Sequence, residues 1–147
     1  MFAKILDWEQ IPDNLLEYDI DKIKQNHDAS PFKEFDLFRQ YTISDKNLLS
    51  SIQKYFDFDV YGNSYYQLIK NGIPIHIDVD REIIYNYLLK TGGDKVETVW
   101  YDDDKITETY RIQIPQHTWH SLDVSTNHTV LGITDTRIAI TVHERKT

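Results

Sequence analysis

The sequence contains no cysteine. Disulfides, thiolate zinc sites, iron–sulfur clusters and a cysteine nucleophile are therefore excluded. No apolar run approaches the ~18 residues needed to span a bilayer. The opening Met1-Phe2-Ala3-Lys4-Ile5-Leu6-Asp7-Trp8 reaches an acid too early for a signal peptide, so a cytoplasmic location is expected. Glycine and proline are few, 5 and 4 residues, and no GxxxxGK or GxGxxG pattern occurs. The Gly92-Gly93 turn is thus no phosphate cradle. Basic residues are outnumbered, 16 Lys and Arg against 24 Asp and Glu, for a net charge of −8. Phosphate backbones are gripped by clustered Lys and Arg, and no such stripe exists here. The expected partners exclude nucleic acid and membrane, leaving a small-molecule or peptide substrate. Oligomeric state is not legible in the sequence.

The 147 residues suit one domain, 1–147, since domains run to roughly 100–200 residues. Residues 1–60 form an expected helical part. One helix should open near Pro12, with Leu15, Leu16, Ile20 and Ile23 on its buried stripe. A second should be capped by Ser44, with Leu48, Leu49, Ile52, Tyr55 and Phe56 at amphipathic spacing. Phe35–Thr42 between them reads as a short strand. Residues 61–147 change to a period of two. Strands are expected at Tyr65–Lys70, Ile73–Val79, Ile83–Lys90, Val96–Tyr101, Ile106–Ile114, Trp119–Val124, His128–Ile133 and Thr136–His143, with turn residues between most of them. This is the pattern of a mainly β antiparallel sandwich or barrel, a jelly roll with the helices packed outside.

The richest stretch is Ile73-Pro74-Ile75-His76-Ile77-Asp78-Val79. Residues two apart on a strand share a face, so His76 and Asp78 point the same way, with isoleucines behind them. An imidazole and a carboxylate on an enclosed face need pairing or a cation. Two histidines and one carboxylate with open positions opposite make the facial triad of non-haem Fe(II) oxygenases. Of six histidines, His27 reads as surface, His143 as frayed terminus and His117 as a solvated turn. The third ligand lies among His117, His120 and His128.

His128 follows His76 by fifty-two residues, and Arg137 follows His128 by nine, within Thr136-Arg137-Ile138-Ala139-Ile140-Thr141-Val142. The HxD…H…R arrangement resembles the small 2-oxoglutarate- and Fe(II)-dependent dioxygenases, near their aspartyl/asparaginyl β-hydroxylase-like branch. The resemblance covers about Tyr65 to Val142. It implies a double-stranded β-helix and the cofactors Fe(II) and 2-oxoglutarate. His76, Asp78 and His128 would be the metal ligands, and Arg137 would hold the far carboxylate of 2-oxoglutarate. The implied activity is a hydroxylase, an oxidoreductase releasing succinate and CO2. Many relatives carry a Ser two residues after the Arg, where this chain has Ala139. A hydroxyl from Thr141, Tyr85, Tyr87 or Tyr66 is the substitute to look for.

Asn86, Gln67, His120, Trp100 and Arg81 are candidate pocket residues, each with an ordinary structural alternative: sheet satisfaction, core packing or a salt bridge. Arg137 has its own alternative, a surface pair with Asp135. Two other functions remain open. One is a catalytically inactive jelly roll kept for binding or structure. The other is a cupin-like metalloprotein that uses His120 as third ligand.

Overall fold

The computed structural model describes residues 2–29, 38–78 and 81–144. Its strands are β1 (Ala3–Ile5), β2 (Asp28–Ala29), β3 (Phe38–Thr42), β4 (Ser64–Ile69), β5 (Ile83–Lys90), β6 (Glu97–Tyr101), β7 (Glu108–Ile112), β8 (Trp119–Asp123), β9 (His128–Leu131) and β10 (Arg137–Val142). The helices are α1 (Ile20–Asn26) and α2 (Lys46–Gln53). Seven strands form one sheet in the order β1-β8-β5-β10-β4-β3-β2, and three form a second, β7-β6-β9. Every pairing is antiparallel. The fold is mainly β, as the period of two implies.

Alternation along each strand of the large sheet separates two environments. One face carries Tyr66, Leu68, Tyr87, Leu89, Trp119, Ile138, Ile140 and Val142, packed against Ile23 of α1 and Leu48, Leu49 and Ile52 of α2. Each of these fully buried aliphatic side chains contributes roughly 1.5–3 kcal/mol. That exceeds what helix propensity alone could supply to two such short helices. The other face turns toward the three-stranded sheet. There Ile84, Leu122 and Val124 pack with Trp100, and Leu88 and Ala139 pack with Ile114. Packing is thus apolar at both ends of this interface, and the polar residues of β3, β4, β5 and β10 fall between.

The N-terminal part departs from expectation in identifiable ways. The helix expected from Pro12 is broken: Asp13–Leu15 is a single 3-10 turn and Leu16 is extended. Asp19 then caps α1 by accepting from the backbone of Asp21 and Lys22, and a side chain that competes for backbone donors starts a helix rather than continuing one. Asp45, not Ser44, caps α2. Ser44 is engaged elsewhere, its hydroxyl donating to the Asn26 carbonyl and its N–H to His27 Nδ1. Residues 3–5 form a strand on the sheet edge that three residues are too few to reveal by periodicity. In the expected strand Phe35–Thr42, residues 35–37 lie outside the described residues, and β3 occupies the remainder.

Three histidines also sit differently. His27 is buried, with its ring 4.9 Å from that of Tyr66. His143 is buried and stacked on Tyr65. His117 adopts φ 57° and places Nε2 2.8 Å from the Tyr18 hydroxyl.

Candidate metal and ligand site

The stretch expected as a strand at Ile73–Val79 is not one. Val79 lies outside the described residues. The rest touches the small sheet through a single bridge in which His76 and His128 exchange backbone hydrogen bonds of 3.1 and 2.9 Å. Two more bonds fix the segment: Asp78 N–H donates to the Val124 carbonyl, and the Thr129 hydroxyl donates to that of Ile73. Pro74, which lacks an N–H, interrupts what would be a ladder. The inference that His76 and Asp78 face the same way nevertheless holds in space.

Their head groups meet that of His128. Asp78 Oδ1 lies 3.3 Å from His76 Nε2 and 3.5 Å from His128 Nε2. One ligand atom from each of the three residues lies within 4.8 Å of the others. Both imidazoles are oriented from behind: His76 Nδ1–H donates to the Pro74 carbonyl and His128 Nδ1–H to that of Thr126, each at 2.7 Å. A carbonyl can only accept, so in the neutral rings Nδ1 carries the proton and Nε2 presents a lone pair. At these distances the carboxylate is balanced by a proton on an imidazole Nε2 or by a metal cation held among the three groups. Tied Nδ1 atoms are the usual support of metal-binding histidines. The donor set therefore fits a divalent metal of the facial-triad type.

Electrostatics agree. Burial raises the Asp78 carboxyl, but the hydrogen bond from His76 and the charges of His128, His76 and Arg81 outweigh it, leaving the group below its ordinary range. Burial lowers the His128 imidazolium, as does His76, so the ring favours its neutral, ligating form.

The triad opens into a cavity of about 60 Å³ between the sheets. Asn86, Gln67, Arg81 and Arg137 line it. Trp100 does not. It is fully buried in the apolar cluster, its Nε1–H donating to the Asp123 carbonyl. His120 is 1% exposed on β8, paired across from Asn86, and is not part of the triad cluster. Burial pushes its imidazolium down to about 4, the Thr118 carbonyl opposing and Arg137 adding to the shift.

Arg137 is the inner-face residue at the start of β10, 7% exposed. It donates to the Thr91 carbonyl at 2.8 Å, and no carboxylate pairs with it among the described residues. The surface pair with Asp135 is not formed. Burial alone lowers the guanidinium to about 10, leaving it charged at neutral pH. The contrast with Arg111 is informative, since that exposed arginine bonds both Glu97 and Glu108.

Among the hydroxyls considered as substitutes near Ala139, Tyr66, Tyr85 and Tyr87 belong to the opposite, helix-covered face. Only Thr141 lines the cavity. Gln40 and Thr98 also line it and escaped the sequence reading. Gln40 is paired directly across from Gln67, a signal that required knowing the register.

No family model and no curated protein matches the sequence. Among solved structures, the chain is similar to an oxidoreductase of the 2OG-Fe(II) oxygenase family from Burkholderia pseudomallei. The TM-score is 0.52 and identity 12%, over 83% of this chain and 74% of that one. A structure of oxalate decarboxylase gives a TM-score of 0.41 and 13% identity over 76% of this chain. The chain spans only 27% of that protein. No helix among the described residues is long and apolar enough to cross a membrane. At 12% identity, the likeness to the oxygenase-family protein is a likeness of fold.

Proposed function

We propose that this protein is an Fe(II)- and 2-oxoglutarate-dependent oxygenase, a hydroxylase built on a double-stranded β-helix and related to the aspartyl/asparaginyl β-hydroxylase-like branch. The observation that carries the reading is one cavity with two chemically different features. Histidine, aspartate and histidine converge on one point of its wall, and elsewhere on that wall lies a buried arginine without a counter-charge among the described residues.

His76, Asp78 and His128 would hold the metal through Nε2, a carboxylate oxygen and Nε2. Arg137 would bind the far carboxylate of 2-oxoglutarate through its planar fork, which suits a carboxylate better than an ammonium does. Fe(II) with 2-oxoglutarate supplies, when bound, activation of O2 coupled to release of succinate and CO2 and hydroxylation of an unactivated C–H bond. The chain's own contribution is positional. Thr126 and Pro74 carbonyls fix both imidazole tautomers, and the apolar packing of Ile84, Leu122 and Val124 beside the triad limits water. The substrate is a small molecule or peptide.

Thermal unfolding with Mn(II) as an inert substitute tests the reading. Metal and 2-oxoglutarate together should raise Tm beyond either alone, because each binds the folded state. His76→Ala should abolish the whole response. Arg137→Gln should remove the 2-oxoglutarate increment and leave that of the metal. A 2-oxoglutarate increment that persists in Arg137→Gln contradicts the cosubstrate assignment.

A further inference from the structure

Two polar side chains on the cavity wall each carry a buried oxygen with no hydrogen-bond partner among the described residues. Asn86 is 6% exposed and Thr141 is fully buried. Asn86 Oδ1 and Thr141 Oγ1 are both shut off from solvent with no hydrogen-bond partner among the described residues. They are neighbours, paired across β5 and β10, and both line the cavity. Burying unpaired polar groups side by side costs stability, which a fold tolerates where a ligand completes them.

Their place along the wall indicates which ligand. Asp78 is tied to Val124, beyond the end of β8. From there the inner face steps through Ile84 and Leu122, then Asn86, His120 and Thr141, then Leu88, Ala139 and Gln67, and finally Arg137 and Ile69. The row holding Asn86 and Thr141 lies between the triad and Arg137. A molecule that bridges those two features must cross it.

We propose that Asn86 and Thr141 are a ligand-reading pair for the bridging acid. On binding, the Thr141 hydroxyl donates to Asn86 Oδ1. This turns the Asn86 amide so that Nδ2–H donates to an oxygen of the ligand. Asn86 is the contact and Thr141 the positioning residue. The pair selects a ligand that presents an acceptor oxygen, keto or carboxylate, midway along the cavity. This rests on the oxygenase reading above.

The test measures 2-oxoglutarate affinity by calorimetry on the Mn(II)-loaded full chain, with Tm of the metal-free protein as a second readout. Asn86→Asp keeps the shape and the bond from Thr141 but replaces the donor by an anion. It should weaken 2-oxoglutarate by about a hundredfold, the worth of a lost charge-assisted hydrogen bond plus repulsion. Thr141→Val should weaken it by about tenfold without lowering Tm of the metal-free protein, and Thr141→Ser should restore affinity. If Thr141→Val lowers that Tm and leaves affinity unchanged, the pair is a structural feature satisfied by buried water and the proposal is overturned. If Arg137→Gln removes 2-oxoglutarate binding while Asn86→Asp does not weaken it, the oxygenase reading stands and this proposal falls. No 2-oxoglutarate binding by the wild type overturns both.

Discussion

His120 makes the stability of this protein depend on pH through a ring outside the proposed metal triad. The ring is 1% exposed, and burial pushes its imidazolium from 6.5 down to about 4. Between those values the unfolded chain binds a proton at this site and the folded chain does not. Acidification therefore stabilises the unfolded state, and stability falls as pH drops from 6.5 toward 4, with no further loss from this group below that. Each unit is about 1.4 kcal/mol. By pH 5 the loss is about 2 kcal/mol, worth roughly 4–8 °C in Tm for a chain of this size. His128 is also lowered by burial and adds to the same slope, so the comparison must be with a variant. Urea unfolding of wild type and His120→Gln, in chelator at pH 7, 6 and 5, isolates the contribution. The wild type should lose about 2 kcal/mol more than the variant across that range. Parallel curves would mean that His120 is solvated or protonated in the fold, and the inner face as described would be wrong.

Other perturbations give equally definite outcomes. Arg137→Met should leave the ligand-free protein as stable as wild type or about 1–3 kcal/mol more stable, because it removes a buried, uncompensated cation at the expense of one hydrogen bond to Thr91. A drop of more than about 1 kcal/mol in urea would make Arg137 a structural residue. Asp78→Asn should eliminate the Mn(II)-dependent rise in Tm; its persistence would point to a different ligand set. Gly132→Ala should destabilise by about 1–3 kcal/mol, since φ is +85° and a Cβ would run into the Lys95 carbonyl. Denaturant midpoints report that directly. Removing the cap with Asp45→Ala should cost about 1 kcal/mol by the same assay.

Much of the β architecture was legible because it depends on alternation. Ile83–Lys90 is legible to the residue and the last strands to within two; in β5 and β10 one face packs against helices and must be apolar. The candidate site residues come instead from the HxD…H…R spacing, and the structure brings them to one cavity. HxD fixes two head groups on one side, and β10 carries Arg137 on its inner face. What failed were features decided by partners distant in sequence. Asp19 and Asp45 win their caps because Tyr66 and Asn26 engage the neighbouring segments. His27 and His143 are buried by aromatic rings that no local pattern reveals. Ile73–Val79 read as a strand from its isoleucines, yet Ile77 is 52% exposed and the segment is held by bonds around His76 and Asp78 rather than by a ladder. Thr141 was among the candidate hydroxyls, but choosing it over the tyrosines needed the sheet's two faces.

The central claim is that three side chains form one metal site opening on a cavity that accepts a dicarboxylate. The most direct measurement is an anaerobic titration of Fe(II) followed by 2-oxoglutarate, monitored by visible absorption. A charge-transfer band should appear only when both are present, survive in His120→Ala, and vanish in His128→Ala. A band lost in His120→Ala and retained in His128→Ala, or no band in the wild type, would contradict the account.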